Sequence, residues 1–412
     1  MTDVAPILAG VTVMALAAAA AVARQARRRN LHKWVGPHLR QRVTRRLRPA
    51  APLPDGLDVF ICIADHFEPH AGGAADAVAD ARVAAWVDGY AAQLGGFRDS
   101  SGRPPQHTFF YPIDQYVPRH VDALAGLCRQ GFGEVELHLH HDHDTAENLE
   151  ATLQRFADLF ASRHGLLGRH RSDGRVAYGF VHGNWALDNG RPDGRWCGVD
   201  DELSVLRRTG CYADFTFPSA PDVTQPPKVN AIYYAVGGPG RRRSHDRGID
   251  VGTAPMPAGG LMVIQGPLRL WRPPGQVMPR VENGCLQRGQ PPTEARLDQW
   301  VRAGVGVAGR PGWRFVKLHT HGATEGNRAM LLGEATLAFH RSLARRAAAD
   351  RAFRFHYVTA REMWNLVKAA EAGWAGPIAG ARDFAVLPAT GGNSGARATP
   401  HFFKFCVTPG QA

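Results

Sequence analysis

Residues 134–144, Glu134-Val135-Glu136-Leu137-His138-Leu139-His140-His141-Asp142-His143-Asp144, run from an alternating stretch straight into a knot of imidazoles and carboxylates. Positions 134–139 have the composition of a strand bounded by turn residues. In an extended chain, alternate side chains share a face, so His138 and His140 can converge on one ion. Imidazole together with carboxylate suits Zn²⁺, and also Fe²⁺, Ni²⁺ or Co²⁺. The plain alternative is a solvated His-rich loop that takes up metal adventitiously. A buried strand immediately before the cluster argues against it.

Working outward, the same texture repeats. Residues 57–64 are a short apolar run rich in β-formers, hence a buried strand. Residues 74–94 have helical spacing and stop at Gly95-Gly96. A strand is expected over 107–111, a helix over 121–129 and an amphipathic helix over 145–163, followed by a strand over 176–181. The pattern resumes with a strand at 313–318, a helix at 328–347, a strand at 353–358 and a helix at 359–372. Strand and helix in regular alternation with short links mean an α/β fold with a parallel sheet, either open or closed into a barrel. Residues 218–292 are Gly/Pro-rich and read as an insertion or an elaborated face.

In parallel α/β folds, ligands gather at the carboxyl ends of strands. Asp65, which follows the first strand, is therefore expected on the same rim as His138, as a metal ligand or catalytic group. His66 and Glu68 follow it directly. His319 and His321 follow the strand at 313–318; an imidazole there can protonate a leaving group, with His319 the catalytic candidate and His321 a candidate to bind substrate. Asn184 and Trp185 after the strand at 176–181, and Asp214 further on, are candidates to line a substrate groove, with packing or turn roles equally open to them.

The order of these pieces resembles the polysaccharide deacetylase (chitooligosaccharide deacetylase-like) superfamily. Ile63-Ala64-Asp65 stands where that family has a strand ending T-F-D-D, and His107-Thr108-Phe109-Phe110-Tyr111 where it has A-T-F-F-V. Gly131-Phe132-Gly133-Glu134-Val135-Glu136-Leu137-His138 is similar to its G-H-E-I-G-N-H, and Val316-Lys317-Leu318-His319 to its L-x-L-H. The resemblance implies a distorted (β/α) barrel and a divalent ion, normally Zn²⁺, held by Asp65, His138 and Asp142, with His140 a rival ligand. It implies hydrolysis of an N- or O-acetyl group on a sugar or polysaccharide. Two departures stand out: Ala64 occupies the place of the catalytic base, and the expected Arg-x-Pro is replaced by His182-Gly183-Asn184-Trp185. Glu68 or His66 is then the base, and His319 the acid. His138-x-His140-x-Asp142-His143 also matches the H-x-H-x-D-H of two-metal metallo-β-lactamase-fold hydrolases, although the strand–helix alternation before it does not suit that fold. With the base lost, a catalytically inactive carbohydrate-binding barrel is a third reading.

The formal net charge is +12, but Arg24, Arg27, Arg28, Arg29, Lys33, Arg40, Arg42, Arg45, Arg46 and Arg48 supply ten of these charges, with no acid among residues 24–48. The basicity belongs to one arm, and the body lacks the aromatic and basic interleaving of a single-strand nucleic-acid groove. Before the arm, residues 7–23 are an uninterrupted Ala-rich run, just long enough to span a bilayer. The charge follows the run, which by the positive-inside rule places the body on the cytoplasmic side of the inner membrane. A cleaved export signal ending Ala21-Val22-Ala23 is the rival, but it would carry positive charge before the run. The expected organisation is thus an anchor over 1–23, a basic arm and Pro-rich linker over 24–54, a barrel over 55–375 and a disordered tail over 376–412. The six cysteines form no C-x-x-C pair and no dense framework.

Overall fold

The computed structural model describes residues 23–47 and 56–389, and before them Met14, Leu16, Ala17, Ala20 and Ala21. The first half runs α1 (Leu31–Leu47), β1 (Leu57–His66), α2 (Asp76–Leu94), β2 (His107–Pro112), α3 (Pro118–Arg129), β3 (Gly133–Leu139), α4 (Ala146–Ser162), β4 (Gly168–His170), β5 (Val176–His182), α5 (Glu202–Arg208) and β6 (Cys211–Asp214). Then come β7 (Ile232–Val236), β8 (Ile249–Asp250), β9 (Gly260–Ile264), β10 (Arg269–Trp271), β11 (Arg280–Glu282), α6 (Glu294–Ala303) and β12 (Trp313–Thr320). The chain finishes with α7 (Glu325–Leu331), α8 (Glu334–Ala349), β13 (Phe353–Tyr357), α9 (Ala360–Glu371), α10 (Ile378–Ala381) and β14 (Val386–Leu387).

The large sheet is ordered β12-β1-β2-β3-β5-β6-β9-β7-β8. Every pair from β12 to β9 is parallel, and β7 and β8 close the far edge antiparallel. Opposite β12, β1 pairs with β13 along residues 57–61 and with β2 along residues 64–66. The sheet curls. Lys317 on β12 donates a 2.6 Å hydrogen bond to the carbonyl of Phe215, just past β6, although four strands lie between them in the sheet order. A side chain spans that gap only if the two strands face each other across the interior.

Both faces of the sheet are buried. Val59, Ile61, Phe109, Val135, Leu137, Tyr178, Phe180, Val316 and Leu318 pack beneath the helices, with Trp86 and Tyr90 of α2, Leu124 of α3 and Leu153 of α4. Phe60, Cys62, Ala64, Phe110, Ala177, Val181 and Phe315 share the inner face with Met363, Leu366 and Val367 of α9. Thr359 caps α9 in a reciprocal capping box with Glu362.

Several expectations change. The helix expected over 328–347 is two helices, α7 and α8, meeting at Gly333, where a Cβ would sit 2.2 Å from the Ala329 carbonyl oxygen. The region 218–292 is not a separate insertion, because β9 extends the main sheet. The arm is partly docked: α1 buries Trp34 completely against Ala220, Val229 and Leu268, and Gln41 donates to the Val229 carbonyl. Its inward residues Trp34, His38 and Gln41 follow helical spacing. Residues 376–389 likewise fold onto the body, with β14 antiparallel to β4; the rest of the expected tail lies outside the described residues. Among the described residues, no helix is long and apolar enough to cross a membrane. The expected anchor, residues 7–23, falls mostly outside the described residues, so it gains no support from the structure.

Candidate metal centre

Parity along three parallel strands builds the centre. On β1, Phe60, Cys62 and Ala64 face inward, and so does His66 two residues on. On β3 the outward Val135, Leu137 and Leu139 leave His138 facing inward; on β12, Val316 and Leu318 do the same for His319. The three imidazoles therefore meet at the carboxyl ends of β1, β3 and β12, and the chain leaving β1 adds Glu68. Glu68 Oε1 lies 3.1 Å from His138 Nε2, 3.4 Å from His140 Nε2 and 4.0 Å from His321 Nε2. The His66 ring centroid is 5.1 Å from that of His138 and 4.8 Å from that of His321.

Hydrogen bonds on the far side of the rings fix how they point. His138 Nδ1 lies 2.7 Å from the Val181 carbonyl oxygen, so it carries the proton and donates. His140 Nδ1 lies 3.3 Å from Asp114. Rings held this way aim Nε2 at the Glu68 oxygen. A carboxylate oxygen facing two imidazole nitrogens is matched by a proton on a ring or by a metal ion, and outer hydrogen bonds of this kind are how proteins orient metal-ligating histidines. Glu68 with His138 and His140, and Glu68 with His66 and His321, are two overlapping groups able to hold a metal ion. His66 Nε2, His319 Nδ1 and Trp185 Nε1 are buried beside them without a hydrogen-bond partner. The residues present therefore fit a divalent ion.

Electrostatics agrees with the geometry. Burial would raise the Glu68 carboxyl, but hydrogen bonds from His138 and His140 hold it far below the usual carboxylate range. Burial would lower His140; Asp114 and Glu68 instead lift it to about 9. Burial, then the neighbouring His321 and His138, keeps His66 well below its ordinary value. Burial, then the nearby Lys317, does the same to His319.

Some expected residues stand elsewhere. Asp65 is fully buried on the helix-covered face, opposite the centre in the pleat. Its Oδ2 pairs with His107 Nε2 at 2.8 Å, and its Oδ1 accepts the Gly322 N–H at 2.6 Å. A Cβ on Gly322 would come within 2.1 Å of that carboxylate. Asp65 thus braces the β12–α7 turn, and the carboxylate in the groups that could hold an ion is Glu68. Asp142 accepts from the backbone of Trp196 and His143 and turns away, and His143 beside it is exposed. Neither half of the H-x-H-x-D-H motif beyond His140 reaches the centre, so the two-metal arrangement it suggests is not formed. Asp214 is buried, with both oxygens bonded to Thr216, so it lines no groove. Trp185 and His321 do border the centre, with ring centroids 6.2 Å apart. Asn184 sits half-buried on the same short turn as Trp185, at φ 53°. A Cβ on Gly183, which opens that turn, would strike His140 at 2.3 Å, so the close approach of ring and backbone needs glycine there.

A second cluster escaped the sequence reading. His141, His182, Cys197 and Glu202 bring one ligand atom each to within 4.8 Å of one another. His182 has the parity of Tyr178 and Phe180, so this group lies under the helix-covered face, across the sheet from the first. The signal available in the sequence was His141, in the same run as His138 and His140. Cys197 and Glu202 lie more than fifty residues beyond it and gave none.

Set against models of known protein families the chain matches none, and curated protein sequences give no significant match.

Proposed function

We propose that this chain is a metal-dependent hydrolase acting on an acetylated sugar or polysaccharide, with its ion held by Glu68, His138 and His140 and with His321 at the open side. The observation carrying this reading is the convergence of one carboxylate oxygen with the Nε2 atoms of His138, His140 and His321 at the carboxyl rim of parallel strands. The distorted barrel of the deacetylase type is the fold this reading implies, and the curled, mostly parallel sheet is compatible with it. A divalent ion at such a site polarises a carbonyl and makes water nucleophilic near neutral pH. With Glu68 among the ligands, the base is His66, whose burial keeps it neutral and able to accept a proton. His319 is also held neutral, so the imidazole that takes the water's proton is the one that can return it to the leaving nitrogen or oxygen. Trp185 offers a ring face to a sugar.

The test is acetate release from N- and O-acetylated oligosaccharides by the zinc-loaded chain. His66→Gln should lower kcat by about 10²–10⁴-fold with the ion retained. Absence of acetate release from every acetylated sugar would end the hydrolase reading. A non-catalytic carbohydrate-binding barrel would then stand, a reading favoured by Ala64, which is wholly buried at the place of the family's base.

We further propose that residues 1–23 tether the body to the cytoplasmic face of the inner membrane. Deleting them should move the protein from the membrane fraction to the supernatant; an unchanged distribution would reject the tether.

A further inference from the structure

His141 Nε2 and His182 Nε2 lie 2.9 Å apart in a buried site. Each ring's other nitrogen is already committed: His182 Nδ1–H donates to the Gly183 carbonyl at 2.5 Å, and His141 Nδ1–H donates to Asp144 Oδ2 at 3.0 Å. Asp144 is itself held by the Thr145 N–H and the Asn148 amide. Two Nε2 lone pairs therefore point at each other, with Glu202 Oε1 3.3 Å from the first and 3.5 Å from the second. Glu202 Oε2 is occupied by the Asp188 N–H at 2.6 Å, so only Oε1 is free for the shared space. Cys197 Sγ receives two backbone N–H groups, from Asn189 at 3.3 Å and Val199 at 3.4 Å. The thiol in turn lies 3.5 Å from Glu202 Oε2, and the two amides would support the thiolate once a cation displaced its proton.

We propose that His141, His182, Cys197 and Glu202 form a closed structural Zn²⁺ site, separate from the centre at Glu68. The ligand set decides the ion. Two neutral imidazoles, one thiolate and one carboxylate sum to two negative charges, which a divalent cation neutralises in a place where Cys197, His182 and Glu202 have no solvent exposure. Zn–N bonds of about 2.0–2.1 Å place tetrahedral ligand atoms roughly 3.3 Å apart, the scale of the separations seen here. Four protein ligands leave no open position, the mark of a structural rather than a catalytic zinc.

The role follows from what the ligands join. His141 leaves β3, His182 ends β5, Cys197 lies in the connection between β5 and α5, and Glu202 begins α5. That connection, residues 183–201, carries positive φ at Asn184, Trp185, Asp188, Asn189 and Trp196. Long loops with little regular structure need something to hold them. The ion pins this one, and with it Trp185, whose ring borders the first centre.

The full chain, purified without chelator, should contain a zinc equivalent that survives in the His138→Ala/His140→Ala variant and is lost in Cys197→Ala. Cobalt exchanged into the wild type should give a near-ultraviolet thiolate-to-cobalt charge-transfer band, because the first centre contains no cysteine. Cys285→Ala should keep that band. A cobalt-loaded wild type without the band overturns the proposal even if Cys197→Ala fails to fold. So does a chain whose zinc is lost entirely in His138→Ala/His140→Ala. Absence of acetate release leaves this site untouched, so the two proposals fail separately.

Discussion

His140 and His141 are consecutive residues that serve different clusters: His140 Nε2 lies 3.4 Å from Glu68 Oε1, and His141 Nε2 lies 2.9 Å from His182 Nε2. They follow directly on the last residue of β3, where the strand ladder ends. The first ring falls to the inner side of the rim and the second to the helix-covered side. One histidine-rich run is thereby divided between two sites on opposite faces of one sheet.

That division separates the one-centre and two-metal readings of the run. Glu68→Gln and His138→Ala should each remove the ion of the first centre. Asp142→Ala and His143→Ala should leave total metal content unchanged, since both side chains point outward. Metal analysis of the four purified variants checks this, and loss of an ion in either of the last two would restore the two-metal reading.

Asp65 is expected to matter for stability and not for metal. Asp65→Ala strips the partner from buried His107 and from the Gly322 N–H. Leaving buried hydrogen-bonding partners unsatisfied typically costs about 1–3 kcal/mol. Urea denaturation should show a loss of that size, with the folded fraction keeping its first ion. A variant of undiminished stability that has lost the ion would put Asp65 back among the ligands.

Lys317 gives a pH dependence of known sign. Burial pushes its ammonium down to about 8, whereas an unfolded lysine titrates near ~10.4. Between those values the unfolded chain binds a proton that the folded chain has released, so this group's contribution to stability rises with pH across the window. It is lower below the window by roughly 3 kcal/mol. Lys317→Met should remove this component: the stability difference between variant and wild type should shrink from about pH 7 to about pH 10. A constant difference would contradict the buried, weakened ammonium.

Trp34 tests whether the basic arm belongs to the folded body. Its side chain is completely buried against Ala220, Val229 and Leu268. Trp34→Ala should therefore lower stability by about 3–5 kcal/mol, the usual cost of emptying an aromatic site in a core. If α1 instead detaches to lie on lipid, the substitution should leave the denaturation midpoint where it was.

The alternation of strands and helices, and with it the parallel sheet, was readable from the sequence because hydrophobic period and turn residues are local signals. The rim position of His138 and His319, and the place of His138 and His140 in a group that could hold an ion, were readable for the same reason. What the sequence could not supply was the face on which each strand residue lies. Strand β1 is buried on both sides, so its run Leu57-Asp58-Val59-Phe60-Ile61-Cys62-Ile63-Ala64-Asp65-His66 shows no alternation of apolar and polar residues. Without that cue, Asp65 and His66 were equally eligible for the centre. Register with β2 and β12 sent Asp65 outward to His107 and His66 inward to His138. Glu68 became a ligand candidate only through the turn that follows β1. Cys197 and Glu202 meet His141 only because β3 and β5 are neighbours in the sheet, a long-range pairing that no local pattern encodes.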